Sequence, residues 1–179
     1  DSSFNVRFDE NSLYNPKNIY SISKLNAEKY IISNLQSSET KYVIIRPSVI
    51  IGKNAPGSID QIKKIIQLNI PLPIASLRSK RSILDINDLC ELIHKCMIDD
   101  LANNQIFVAS GHEHLSIIDI FKIVSSLYHI KLRTFYFPRI LLMYAFSFIR
   151  KKLIYFKINN NLIVDSSKAR KILKWKTRL

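Results

Sequence analysis

Glycine is scarce in this chain: three residues in 179, at Gly52, Gly57 and Gly111. They are too few and too far apart to form a glycine-rich phosphate-binding turn, which excludes a complete dinucleotide-binding front end within this sequence. Cysteine is scarcer still, with Cys90 and Cys96 six apart in a helical pattern. Residues at that spacing do not share a helix face, so no bridge between them is expected, and a reducing, cytoplasmic setting fits. There is no run of eighteen apolar residues, so no membrane span is expected. The best candidate, Ile140 to Ile149, is too short and runs straight into Arg150, Lys151 and Lys152. The chain opens on Asp1, without a charged-then-apolar leader, which leads us to expect a piece of a longer chain and no signal peptide.

Negative charge is the other shortage. Fourteen Asp and Glu face 27 Lys and Arg, for a net charge of +13. Such an excess invites nucleic acid, a membrane surface or a phosphorylated ligand. The lysines are scattered rather than striped, and the chain is crowded with Lys, Asn and Ile, the residues favoured by AT-rich codons. Compositional drift therefore accounts for the charge better than a nucleic-acid footprint does. Hydrophobic residues make up 47% of the chain, which excludes disorder, and the length suits one domain with a substantial core.

The pattern along the chain alternates strands and helices. Residues 1 to 18 read as a polar loop with a turn at Asn15-Pro16. Tyr20 to Leu35 has helical spacing, and Lys41 to Arg46 is a β-branched run stopped by Pro47. A helix is expected over Ser58 to Leu68 with Ser58 as its N-cap, then an extended Ser82 to Ile86 and a helix to Ile98 capped by Asp88. Gln105 to Ala109 reads as a strand. Ser116 and Asp119 resemble a capping box ahead of an apolar helix. Leu132 to Phe137 reads as a strand with a helix after Pro138, Leu162 to Val164 as extended, and Ser166 to Leu173 as a terminal helix. This order predicts an α/β architecture.

The sharpest chemical signal is Tyr20-Ser21-Ile22-Ser23-Lys24. On a helix, Tyr20 and Lys24 share one face. A free phenol titrates near pH 10, and a neighbouring ammonium favours the phenolate, so such a pair suits proton exchange with a hydroxyl/ketone couple. The spacing alone also fits an ordinary surface pair. The His112-Glu113-His114 run lacks the i,i+4 histidines of a zinc helix and is expected to be a loop with no metal. Phe135, Tyr136, Phe137, Tyr144, Phe146 and Phe148 are expected to be core rather than a base-stacking platform.

Four segments in order give the tyrosine its context. They are Tyr20-Ser-Ile-Ser-Lys-Leu-Asn-Ala-Glu28, Ile44-Ile-Arg-Pro-Ser-Val-Ile-Ile-Gly52, Lys80-Arg-Ser-Ile-Leu-Asp-Ile-Asn-Asp-Leu89 and Val164-Asp-Ser-Ser-Lys-Ala-Arg-Lys-Ile-Leu-Lys-Trp175. Together they resemble the C-terminal portion of extended short-chain dehydrogenases, the NAD-dependent epimerase/dehydratase family. The stretch Asn69 to Ser82, with Val108-Ala-Ser-Gly-His112, resembles bacterial members acting on UDP-N-acetylhexosamines for surface polysaccharides.

The resemblance implies the last parallel strands of a Rossmann-type fold in residues 1–57, followed by a small α/β substrate domain in 58–179. It implies NAD or NADP as cofactor and a UDP-sugar as substrate. Tyr20 would shuttle the sugar hydroxyl proton, and Lys24 would hold the nicotinamide ribose and tune Tyr20. Pro47, Ser48 and Val49 would lie by the nicotinamide, and Arg81 would grip the diphosphate with its two-pronged guanidinium. A homodimer through the tyrosine helix follows by resemblance only, and a separately encoded N-terminal half is a further expected partner.

The departures from the family lie upstream of Tyr20. The glycine-rich turn and the acidic ribose ligand are not in this sequence, and Asp1-Ser2-Ser3 does not obviously supply the usual Ser or Thr beside the tyrosine. Exposed sheet edges and poor solubility in isolation are therefore expected. Three readings stay open: a portion of a C4-acting epimerase or reductase, a catalytically inactive remnant of one, and a basic nucleic-acid or membrane-surface binder.

Overall fold

The structure, a computed structural model, describes residues 7–16, 18–53, 57–148 and 159–178. Its elements run in the order β1 (Arg7–Phe8), α1 (Ile19–Leu35), β2 (Val43–Pro47), β3 (Val49–Ile51), α2 (Ser58–Gln67), β4 (Lys80–Asp85) and α3 (Ile86–Ile98). A 3-10 turn (Asp100–Ala102) follows, then β5 (Gln105–Ala109), β6 (His114–Ser116), α4 (Ile117–Leu127), α5 (Arg139–Phe148), β7 (Ile163–Val164) and α6 (Ser167–Leu173). The architecture is α/β, with parallel pairing dominant.

Among the described residues three small sheets form, and each joins a strand from before residue 57 to one after it. β1 runs parallel to β7 and β2 parallel to β5, while β4 lies between a parallel β3 and an antiparallel β6. Their β-branched and aromatic residues suit half-buried pleated surfaces. In β4, successive side chains leave opposite faces. Ile83 enters a cluster with Ile51, Ile59, Ile66, Ile120, Phe121 and Val124, and Leu84 enters a second cluster with Leu92, Phe107, Leu173 and Trp175. One strand thus separates two cores, with α2 and α4 covering the first and α3 and α6 the second.

Several element ends differ from expectation, each for a definite reason. The N-cap of α2 is Gly57, at φ 83°, a left-handed conformation that costs glycine little; Ser58 is the first helical residue. The N-cap of α3 is Asp85, whose carboxylate accepts from Asn87 N at 2.8 Å. Asp88 instead sits within the first turn, fully buried, and accepts from Arg178 N at 2.9 Å. Residues 132–137 make only an isolated parallel bridge, Thr134 to Leu72, because no longer strand lies alongside them. The loop expected over residues 1 to 18 contains β1, which exists only through its distant partner β7. By contrast, Ser116 caps α4, accepting from Asp119 N at 3.3 Å.

The aromatic group does not form a core. Phe135, Tyr136, Tyr144 and Phe148 are exposed, and only Phe137 packs partly buried, against Leu77 and Leu142. Phe135 and Phe137 stack edge to face at 6.1 Å. Phe146 lies outside the described side chains.

Candidate functional site

The start of α1 is fixed by a reciprocal cap. Asn18 Oδ1 accepts from Ser21 N at 2.8 Å, and Ser21 Oγ accepts from Asn18 N at 3.3 Å. This sets Tyr20 in the first turn and Lys24 one turn later. Lys24 Nζ stands 5.5 Å from the centroid of the Tyr20 ring, within cation–π range. Tyr20 is 71% exposed.

Both side chains open onto one cavity of about 440 Å³. Its walls are α1, the loop 12–16, and the end of β2 at Arg46, Pro47 and Ser48, with Phe8, Val108 and Val164 also lining it. Ser48 N donates to Ala109 O at 2.8 Å, holding this turn against β5. Its Oγ is buried and has no hydrogen-bond partner among the described residues. A buried hydroxyl in that state costs free energy that a ligand bond would recover.

Four of the sequence candidates, Tyr20, Lys24, Pro47 and Ser48, therefore meet in one cavity. Two do not. Val49 begins β3 and packs, partly buried, against the first core cluster. Arg81 lies in β4, where its backbone pairs with Leu115 and bridges to Leu162, and it is not a lining residue of this cavity. Burial pulls the Arg81 guanidinium below its ordinary value, without removing its charge.

One device in the wall was not assigned from the sequence. Arg46 Nη2 bonds Glu28 Oε2 at 2.6 Å, its Nε reaches the same carboxylate at 3.1 Å, and Nη2 also donates to the Tyr14 hydroxyl. The guanidinium lies 4.8 Å from the Tyr14 ring centroid. Burial lowers the Arg46 value, but the bonds to Glu28 and Tyr14 outweigh it and raise the value overall. One guanidinium thus ties the loop, α1 and β2 together around the cavity. Arg46 and Glu28 both stood inside recognisable segments. The signal missed was their opposite charge, which only the fold brings together.

His112 and Glu113 lie in a loop and His114 opens β6, where its Nδ1 is 3.1 Å from Ser82 Oγ. Among the described residues, no three His, Cys, Asp or Glu side chains are grouped to hold a metal ion. No described helix is long and apolar enough to cross a membrane. Ser2 and Ser3 lie outside the described residues.

Several known proteins are similar to this chain. The NAD-binding family described as male sterility protein matches residues 2–88. A UDP-glucose 4-epimerase of Vibrio cholerae is 35% identical over 100 residues, covering 55% of this chain and 30% of that protein. Among solved structures, Pal of Bacillus thuringiensis superposes with a TM-score of 0.67 at 20% identity, over 97% of this chain and 52% of that one. A Thermotoga maritima UDP-glucose 4-epimerase, solved with UDP-glucose, gives 0.67 at 15% identity, over 99% and 55%. WbmG of Bordetella bronchiseptica, solved with NAD and UDP, gives 0.65 at 18% identity, over 99% and 51%.

The fold is thus that of Rossmann-type epimerases and dehydratases, and this chain spans about half of each of those structures. The family match and the Vibrio relative support the NAD-dependent epimerase/dehydratase family of extended short-chain dehydrogenases.

Proposed function

We propose that this chain is the catalytic-helix and sugar-nucleotide portion of an NAD(P)-dependent enzyme that works at C4 of a UDP-hexose or UDP-N-acetylhexosamine, as an epimerase or reductase in surface polysaccharide synthesis in the cytoplasm. The observation that carries this reading is the single cavity shared by Tyr20, Lys24, Pro47 and Ser48, with the unpartnered Ser48 hydroxyl in its wall. The identity to a UDP-glucose 4-epimerase supports the substrate class.

NAD or NADP would be held by Tyr20, Lys24 and the Pro47–Val49 stretch, Val49 through its backbone. When bound, the cofactor supplies hydride exchange with the sugar carbon. The chain's own residues do the rest. Tyr20 exchanges the proton of the C4 hydroxyl, with the Lys24 ammonium beside its ring. Arg81, always cationic, holds a phosphate of the diphosphate. Residues 1–57 would carry the cofactor side and 58–179 the sugar-nucleotide side. The glycine-rich turn and acidic ribose ligand would be contributed by sequence N-terminal to this portion, encoded with it or separately. The exposed α1 would be the dimer face.

Replacing Tyr20 with Phe tests the reading. C4 turnover of the UDP-sugar is expected to fall by about 10²–10⁴ with binding retained. Undiminished turnover in Tyr20→Phe would overturn it.

A further inference from the structure

A second cavity, of about 280 Å³, lies across the β1–β7 pair from Tyr20. Arg7 lines this one, while its neighbour Phe8 lines the Tyr20 cavity, as successive strand residues should. Its polar walls come from separate elements: Arg7 of β1, His112 and His114 at the head of β6, Asp165 after β7, and Arg170 of α6.

The donors are held in place. Arg170 Nη2 donates to Ser110 O at 3.1 Å. The Ser82 hydroxyl accepts from Val164 N at 2.8 Å and lies 3.1 Å from His114 Nδ1, closer than the 3.5 Å to Val164 O. The contact holds the His114 ring at Nδ1. The Arg7 guanidinium makes no hydrogen bond or ion pair with any described residue.

Charge in the cavity is unbalanced. Asp165 is the one carboxylate among the described residues of its lining, and its Oδ1 accepts from Ser167 N at 2.9 Å. That bond, followed by the charges of Arg7 and Arg170, holds the Asp165 carboxyl below its ordinary range. Burial, then the nearby Arg7, Lys80, His112 and Arg170, hold the His114 imidazole below its own. Among the described lining residues, two guanidiniums against one carboxylate give a net positive charge before either histidine is charged.

We propose that this cavity binds a phosphate group, at a site separate from the one containing Tyr20. Guanidiniums and imidazoles arriving from several directions suit a tetrahedral oxyanion better than a planar carboxylate, and Arg is the side chain best shaped to bond two phosphate oxygens together. The inference does not depend on the reading of Tyr20. Free phosphate and the diphosphate of a nucleotide share the required chemistry.

The test follows the His114 ring proton by NMR through a pH titration, with inorganic phosphate and, separately, with UDP. An anion beside the imidazole favours its charged form, so phosphate should raise the His114 midpoint saturably. Arg7→Met, at an exposed site, should weaken that binding about tenfold, the cost of one charge-assisted contact, while Tyr20→Phe leaves it unchanged. Tighter, Arg7-dependent binding of UDP would make the natural ligand a nucleotide, and binding of phosphate alone would make it a free phosphate. A His114 midpoint that neither anion moves, an equal shift with chloride at matched ionic strength, or equal affinity in Arg7→Met would each overturn the proposal.

Discussion

Helices α1 and α4 show what two segments of helical spacing can become. In α4, Ile120, Phe121 and Val124 are buried against α2 and β4, and an N-cap at Ser116 fixes its start. In α1, seventeen residues long, no side chain is fully buried, and Ile19, Tyr20 and Tyr30 stand out in solvent. Only Ser21, Leu25, Glu28, Ile32 and Leu35, spaced as one helical stripe, are half-covered. α4 is held by the core of this chain. α1 is held by its cap and by the Glu28–Arg46 bonds, and its other faces are free for a ligand or another surface. The helix that carries the proposed chemistry is the one the core needs least.

Substitutions sharpen this contrast, beginning in the second core. Trp175 is 2% exposed and its Nε1 donates to Asp88 O at 3.0 Å. Trp175→Ala should cost about 3–5 kcal/mol, read as the loss in urea-unfolding free energy. Asp88→Ala comes next, at about 1–3 kcal/mol, because it strips the Arg178 N–H of its partner and breaks the buried anchor between α3 and the C-terminal segment.

Ser116→Ala should cost about 1 kcal/mol by removing the α4 cap, and its effect should depend on pH. The Ser116 hydroxyl is the main cause holding the Asp119 carboxyl below its ordinary value. A carboxyl lowered by folding contributes stability that is complete above its unfolded value, about 3.9, and is lost as the pH falls through the folded one. The difference between wild type and Ser116→Ala should therefore narrow below about pH 4 in acid titrations of stability. Smallest of all, Ile19→Ser and Tyr30→Ser on α1 should each shift the unfolding free energy by no more than about 0.5 kcal/mol. A loss of 2 kcal/mol at either position would erase the contrast between the two helices.

What the sequence revealed follows the range of each interaction. The Ser116 cap and the body of α1 depend on neighbours within a few residues and were readable. Asp85 and Asp88 look equally able to cap α3; the Asp88 carboxylate is claimed by the backbone N–H of Arg178, 90 residues away. The alternating, β-branched and aromatic residues of 132–137 suit a strand, but a strand needs a partner, and only Leu72 offers one contact. The site divides the same way. Tyr20 and Lys24 are one turn apart and could be paired by counting. The closure of their cavity by Tyr14, Arg46 and Glu28 required the fold, and so did the separation of Arg81 and Val49 from it.

The most direct measurement is a calorimetric titration of the protein with a UDP-N-acetylhexosamine and with NAD(H), run in parallel on Arg81→Ala. The account predicts saturable binding of the sugar nucleotide that weakens by about tenfold or more in the variant, the expected loss of one guanidinium–phosphate contact. Sugar-nucleotide binding unchanged by Arg81→Ala, or no binding of either ligand, would contradict it.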